Sequence, residues 1–301
     1  MKILIPEFMD ERAVARLAAR HEVVFEPTLV DDAARLLSLA PSADAIVVRN
    51  RTQVRGALLA ALTRCRVVGR LGVGLDNIDL PGCGARGVRV IPATGANAQS
   101  VAEYVIATAM LLLRGAYGAS AEVAAGRWPR AALSNGREIG GKTLGLVGFG
   151  SIGQLTGQLA RAVGMQVIAH DAAISRHDGV RLVGLDELVA QADVVSLHVP
   201  LLDGTRHLID AARLAAMKPG AVLINSARGG VVDEAALAAA LKAGRLAGAA
   251  LDVFEAEPLP AGSPLAGCPN LLLTPHVAGV THEANERVSF MIADKLLEAL
   301  E

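Results

Sequence analysis

The stretch Thr143-Leu144-Gly145-Leu146-Val147-Gly148-Phe149-Gly150-Ser151-Ile152-Gly153 decides the fold. An apolar, strand-like run passes directly into Gly-x-Gly-x-x-Gly, and a helical pattern opens near Ile152. Each glycine has its own mechanical task. Gly148 allows the tight turn, Gly150 lets a pyrophosphate approach the backbone, and Gly153 lets helix and strand pack closely. The helix N-terminus, with Ser151 and Ile152, presents free amides and the positive end of its dipole to the phosphate charge. The next strand, Gln166 to His170, ends at Asp171, eighteen residues beyond Gly153 and near the spacing of about 20 at which a carboxylate meets the adenosine ribose. That carboxylate accepts hydrogen bonds from a free 2′-hydroxyl and repels a 2′-phosphate, so NAD rather than NADP is the expected cofactor. Arg176 and His177 lie close by and oppose that preference in part.

Working outward, Asp193 to Leu197, Ala221 to Asn225, Gly248 to Asp252 and Leu271 to Thr274 add four strand candidates, making six with helical patterns between most of them. Before residue 115 the same alternation recurs. Ile3 to Ile5, Val23 to Phe25, Ala45 to Val48 and Arg66 to Gly69 read as strands, and Asp10 to Arg20 as an amphipathic helix. Strand–helix alternation of this kind predicts α/β architecture with parallel sheets. Ser100-Val101-Ala102-Glu103 matches a capping box and predicts a helix from Ser100 to near Arg114. Residues 115–141, polar and carrying the only tryptophan, Trp128, read as a linker and surface excursion. Thr281 to Leu300 reads as a closing helix.

Composition agrees with this reading. Among 301 residues, 52% are hydrophobic, only 3% are aromatic and 31 are glycine, the palette of buried parallel strands covered by helices. The 29 basic and 30 acidic residues nearly cancel, which argues against nucleic acid or a membrane surface as partner and favours a small molecule. Cys65, Cys83 and Cys268 form no Cys-x-x-Cys pair, so neither a disulfide framework nor a metal site is expected, and a reducing cytoplasm fits. The Ile3–Ile5 run is far shorter than a signal-peptide core, so secretion is not expected.

Three loops that follow strands of the glycine-turn sheet carry ionisable residues: Asn225 to Gly230 with Arg228, Asp252 to Pro258 with Glu257, and Thr274 to Gly279 with His276. A cation, an acid and an imidazole on one sheet edge suffice for hydride transfer to a 2-keto acid. The guanidinium binds the carboxylate and polarises the carbonyl, the imidazolium protonates the nascent alkoxide, and the carboxylate holds the imidazolium.

Through these blocks the chain resembles the D-isomer-specific 2-hydroxyacid dehydrogenases, of phosphoglycerate, hydroxypyruvate or sulfolactate dehydrogenase type. Further carriers of the resemblance are Gly72-Val73-Gly74-Leu75-Asp76-Asn77-Ile78-Asp79, Leu197-His198-Val199-Pro200-Leu201, Ser226-Ala227-Arg228-Gly229, Leu251-Asp252-Val253-Phe254-Glu255 and Pro275-His276. It implies two Rossmann-like doubly wound parallel-sheet domains. The discontinuous, flavodoxin-like substrate domain would comprise residues 1–97 and 282–301, and the NAD domain residues 98–281. It implies Arg228, Glu257 and His276 as catalytic residues, and the Val73 and Gly74 amides as the grip on the substrate carboxylate. Gly148, Gly150, Ser151, Ile152, Gly153, Asp171, His198, Val199, Pro200, Thr205, Ala227 and Asp252 are the implied NAD contacts, and a homodimer the implied assembly.

Within the family, formate dehydrogenases carry an amide where this chain has Glu257, which argues against their chemistry here. Corepressors keep the fold and the NAD site as non-catalytic scaffolds and form the alternative reading. At 301 residues, the extra regulatory domains of long phosphoglycerate dehydrogenases are not expected. Arg49 and Arg51, flanking Asn50, could read an anionic group at C3 of the substrate, since guanidinium matches sulfonate, phosphate or carboxylate oxygens. Glu7 to Glu11 and Asn50 to Val54 look like the sulfolactate branch. Hydroxypyruvate, glyoxylate and phosphohydroxypyruvate stay open as substrates.

Overall fold

A computed structural model describes residues 1–301, which divide into two compact units, Met1–Asn97 with Val280–Glu301, and Ala98–Gly279. The first unit contains β1 (Lys2–Ile5), α1 (Glu11–Ala18), β2 (Glu22–Phe25), α2 (Ala33–Leu39), β3 (Ala45–Val48), α3 (Gly56–Ala61), β4 (Val67–Arg70), α4 (Leu80–Ala85) and β5 (Arg89–Pro92). Its five strands are all parallel in the order β2-β1-β3-β4-β5, the flavodoxin-like arrangement. Alternation along the strands feeds two cores. Ile3, Ile5 and Val47 face one layer, while Leu4, Ile46 and Val48 face the other. Full burial of each such side chain stabilises the unit by roughly 1.5–3 kcal/mol. The C-terminal helix His282–Leu300 returns to this unit and lays Ile292 and Leu296 on β4. It can do so because Gly69 has no side chain: a Cβ there would stand 2.7 Å from Ile292 and 2.8 Å from Leu296.

In the second unit come α5 (Ala98–Arg114), α6 (Ser120–Ala124), β6 (Thr143–Val147), α7 (Ser151–Ala162), β7 (Gln166–His170), β8 (Arg181–Leu182), α8 (Leu185–Gln191), β9 (Val194–Leu197), α9 (Ala211–Ala216), β10 (Val222–Asn225), α10 (Glu234–Lys242), β11 (Gly248–Leu251) and β12 (Leu271–Leu273). The sheet runs β12-β11-β10-β9-β6-β7-β8, all parallel. Strand order reverses between β6 and β9, the switch point at which doubly wound sheets receive dinucleotides. Leu144, Leu146 and Ile224 pack under α5 and α7, and Val147, Leu197 and Leu223 pack on the opposite face.

The structure departs from the sequence reading at four places. β5 escapes that reading because an edge strand with exposed Arg89 and terminal Pro92 has no buried run to signal it. The two-residue β8 escapes it for want of length, so the second sheet has seven strands, not six. α5 begins at Ala98, and Ser100 is a buried position within it instead of its cap. Glu103 Oε1 accepts from Gln99 Nε2 at 2.6 Å, one turn before it. Residues 115–141 hold α6 and short 3₁₀ turns instead of an irregular linker, though Trp128 is indeed on the surface, 77% exposed. No single helix is long and apolar enough to cross a membrane.

Candidate active site

The glycine turn follows β6 and opens α7. Gly148 adopts φ +94°, and a Cβ on it would stand 2.5 Å from the His198 carbonyl oxygen, so the turn is pressed against the end of β9. A Cβ on Gly153 would stand 2.3 Å from the Gly148 carbonyl oxygen. Gly150 differs: a Cβ there meets nothing within 4 Å, so the space before the Ser151–Ile152 helix start is open. Two glycines therefore serve packing, and the third leaves room for a phosphate group to reach the backbone amides. Asp171 stands at the end of the neighbouring β7. Its Oδ2 accepts from the Phe149 amide at 2.7 Å and its Oδ1 from the Ala173 amide at 2.8 Å, which turns the half-buried carboxylate toward the glycine loop. Arg176 is exposed and pairs with Asp178, while His177 lies edge-on to the Phe149 ring. These residues fit NAD.

Beyond β9 the chain runs His198-Val199-Pro200, with Val199 against Gly148. Thr205 ties the loop, its hydroxyl donating to the Pro200 carbonyl at 2.6 Å and accepting from the Leu202 amide at 2.7 Å. His198 Nε2 meets Ser196 Oγ at 3.0 Å. Desolvation pushes this imidazole from 6.5 down to about 4, so it stays neutral at pH 7. Between those two values the unfolded chain binds the proton that the folded one refuses, so stability falls as pH drops from 6.5 toward 4, by about 3 kcal/mol in all. Urea unfolding across that window is expected to show His198→Asn lacking this share of the slope. Parallel pH dependences for variant and wild type would refute it.

Arg228, Glu257 and His276 follow β10, β11 and β12, three adjacent parallel strands, and so emerge on one sheet edge. Buried Asn225 shapes the first loop: its Oδ1 accepts from the Ala227 amide at 3.1 Å and its Nδ2 donates to the Arg228 carbonyl at 2.9 Å. Arg228 is half-buried, with Nη1 donating to the Ala227 carbonyl. Gly229 is the point of closest approach to the next loop, since a Cβ there would fall 1.7 Å from the Phe254 carbonyl oxygen. Glu257 Oε1 accepts from the Phe254 amide at 3.0 Å, leaving Oε2 to meet His276 Nδ1 at 2.8 Å. His276 itself has φ +56°, uncommon for a residue with a side chain and found where surrounding structure enforces it.

The enforcing group is Asp252, only 1% exposed. Its carboxylate accepts from Thr274 Oγ1 at 2.6 Å and from the Val277 and Ala278 amides at 2.8 Å each, and its carbonyl accepts from the His276 amide at 2.8 Å. The expected NAD contact is thus also the anchor of the histidine loop. The His276 ring is 44% exposed and Glu257 37%, so the pair is open to an incoming molecule. With Nδ1 directed at the carboxylate, Nε2 is the nitrogen free to exchange a proton.

In the first unit, the loop after β3 carries Arg49, Asn50 and Arg51. Buried Glu7, from the loop after β1, accepts from the amides of Arg49 at 2.9 Å, Arg51 at 3.0 Å and Thr52 at 3.2 Å. Asn77 Nδ2 donates to the Arg49 and Thr52 carbonyls at 3.0 and 2.7 Å. On this rigid frame the arginines differ. Arg49 is half-buried, over the Phe8 ring and donating to Asn285 Oδ1 at 2.8 Å, and desolvation pulls its pKa down. Arg51 is exposed and ion-paired with Asp31; Asn50 is exposed between them. After β4, Arg70 Nε donates to the Gly74 carbonyl at 2.9 Å and curls over Gly72, so the Val73 and Gly74 amides lie on a braced turn. Sequence reasoning quoted the stretches that hold Glu7, Asn77, Asn225 and Gly229 but assigned none of the four a role, because backbone hydrogen bonds and close approaches between separate segments are not legible in one segment.

Residues 106–278 match the family model described as D-isomer specific 2-hydroxyacid dehydrogenase, NAD binding domain. The chain is 54% identical to an (S)-sulfolactate dehydrogenase of Chromohalobacter salexigens, covering 99% of this chain and 98% of that protein. It is 41% identical to a D-3-phosphoglycerate dehydrogenase of Mycobacterium tuberculosis over 99% of its own length, but spans only 56% of that relative. A crystal structure of a protein from Thermus thermophilus superposes with a TM-score of 0.91 at 35% identity, covering 100% of this chain and 97% of the other.

Proposed function

The chain belongs to the D-isomer-specific 2-hydroxyacid dehydrogenases and is an NAD-dependent oxidoreductase, and from that premise we propose that it interconverts 3-sulfopyruvate and sulfolactate, with Arg228, Glu257 and His276 as its catalytic residues. The observation that carries the chemistry is the 2.8 Å contact between His276 Nδ1 and Glu257, on the strand edge that also bears Arg228. NAD, when bound, accepts the hydride of the hydroxy acid and its reduced form returns it. Gly150, the Ser151–Ile152 helix start and Asp171 would hold its phosphates and ribose. His198, Val199, Pro200, Thr205, Ala227 and Asp252 would line the remainder.

The chain's own residues do the rest. Arg228 binds the substrate carboxylate and draws electron density from the carbonyl through its fork of donors. As hydride reaches C2, His276 gives its Nε2 proton to the nascent alkoxide. Glu257 stabilises the imidazolium before transfer and holds Nδ1–H afterwards, so the tautomer left behind is the one that takes the proton back in the oxidative direction. The Val73 and Gly74 amides are the proposed second grip on the carboxylate. A non-catalytic scaffold is not favoured, since the relatives are named dehydrogenases and the acid–base pair is assembled at hydrogen-bond distance.

For the substrate, support comes from the sulfolactate relative and from Arg49. A guanidinium that is partly desolvated, lies over the Phe8 ring and donates to Asn285, on a backbone held by Glu7 and Asn77, is organised to bind an anion, while Arg51 is already neutralised by Asp31. The (S) descriptor of that relative agrees with D specificity: sulfur gives the CH₂SO₃⁻ arm priority over the carboxylate, so the spatial arrangement of D-lactate is labelled (S) when C3 is sulfonated. The unit of residues 1–97 and 280–301 would bind the acid and the unit 98–279 the cofactor. Exposed Tyr117 and Trp128 support a homodimer, and three free cysteines a cytoplasmic location.

NADH oxidation against pyruvate, glyoxylate, hydroxypyruvate, phosphohydroxypyruvate and 3-sulfopyruvate tests the proposal, the expected preference being for 3-sulfopyruvate. Arg49→Ala is expected to raise KM for 3-sulfopyruvate by about 10- to 100-fold, the scale of one charged hydrogen bond, and that for pyruvate by less than about twofold. Arg51→Ala should change both little. Equal effects of Arg49→Ala on the two substrates would reject the assignment.

A further inference from the structure

We infer that Tyr104, on α5, is a positioning residue for the acid–base pair and acts through Thr274 and Asp252. This rests on the dehydrogenase reading with His276 as the proton donor. Tyr104 Oη and Thr274 Oγ1 are 2.8 Å apart, and Thr274 Oγ1 donates to Asp252 Oδ1 at 2.6 Å. The direction of the chain follows from proton counting. An ionised carboxylate only accepts, so the single Thr274 hydroxyl proton is committed to Asp252, and Tyr104 must donate to Thr274. Burial raises the tyrosine above its usual range, so the donor proton is present throughout the working pH range.

Such a chain polarises along its length and strengthens each member. It ends on the carboxylate around which residues 274–278 are wrapped: Asp252 takes the Val277 and Ala278 amides on its side chain and the His276 amide on its carbonyl. His276 lies between these contacts, with left-handed backbone that the wrapping imposes. Tyr104 comes from a different layer, the helix beneath the sheet, and through Thr274 it fixes the anchor against which the histidine is aimed at Glu257. Its hydroxyl bonds to Thr274 and not to the glycine turn or Asp171.

The test uses the intact enzyme with NADH and its best keto acid. Tyr104→Phe is expected to lower kcat about tenfold, with KM for the keto acid within about twofold and the fluorescence-measured Kd for NADH within about threefold, as for loss of one hydrogen bond that holds a reacting group. Thr274→Ser, which keeps the hydroxyl, should stay within about threefold of wild type, whereas Thr274→Val should lose at least tenfold. Adding Tyr104→Phe to Thr274→Val should then cost less than about twofold more, because the link is already cut. A wild-type kcat in Tyr104→Phe, or a further tenfold loss on the Thr274→Val background, would overturn the inference. Should Tyr104→Phe not fold, the split between Thr274→Ser and Thr274→Val decides in its place, equal losses refuting the relay. His276→Gln retaining wild-type turnover would overturn the reading itself, and the inference with it.

Discussion

His276→Gln is expected to lower kcat for keto-acid reduction by about a thousandfold while the Kd for NADH stays within about twofold. Glutamine preserves roughly the volume and polarity of the ring but cannot release a proton to an alkoxide, so reduction would have to draw its proton from water. Arg228 would still bind and polarise the substrate, and KM should therefore move far less than kcat. Glu257→Gln is the companion variant. It keeps a hydrogen bond to Nδ1 but removes the charge that stabilises the imidazolium, so it should lower kcat for keto-acid reduction while the Kd for NADH stays within about twofold. If His276→Gln turned over within tenfold of wild type, the histidine would not be the proton donor.

Gly229→Ala is expected to be nearly as damaging without touching a reacting group. Its new Cβ would fall 1.7 Å from the Phe254 carbonyl oxygen and 2.1 Å from the carbonyl carbon, both backbone atoms that cannot rotate aside. The loops bearing Arg228 and Glu257 must then separate. Glu257 is held by the Phe254 amide itself, so the displacement passes directly to the His276 contact. Strain of this kind costs about 1–3 kcal/mol or more of stability, and a misplacement of about 1 Å at reacting groups costs about 100-fold in rate. Urea unfolding and kcat measured on the same preparation check both. Wild-type stability with wild-type kcat would show that the loops do not need their close approach.

The comparison of Gly229 with Gly150 shows how unequally the sequence can be read. Gly150 lies in a spaced motif whose three glycines each answer to a rule of strand–turn–helix geometry, and its open surroundings are what the motif predicts. Gly229 lies in no such rule. Its need arises from Phe254, a residue of the next βα unit brought alongside only when β10 and β11 pair. Arg49 and Arg51 make the same point about charge. They are equivalent as letters two positions apart, but one is ion-paired with Asp31 at the surface and the other, half-buried, meets the Phe8 ring and the Asn285 amide oxygen. The capping box at Ser100 failed for a related reason: the helix begins two residues earlier, at Ala98, and Ser100 is a buried position within it.

Local periodicity and turn chemistry act over a few residues. From these alone the sequence determined the alternation of strands and helices, the glycine turn with its acidic partner Asp171, and the presence of an arginine, a glutamate and a histidine after successive strands. Which strands lie side by side depends on pairings between residues tens of positions apart, and only the tertiary structure decided that β10, β11 and β12 are neighbours. The same holds for the Asp252 anchor, the Tyr104–Thr274 link and the Glu7 clamp, because a hydrogen bond exists only when a donor and an acceptor from separate segments arrive within about 3 Å of one another in the right direction.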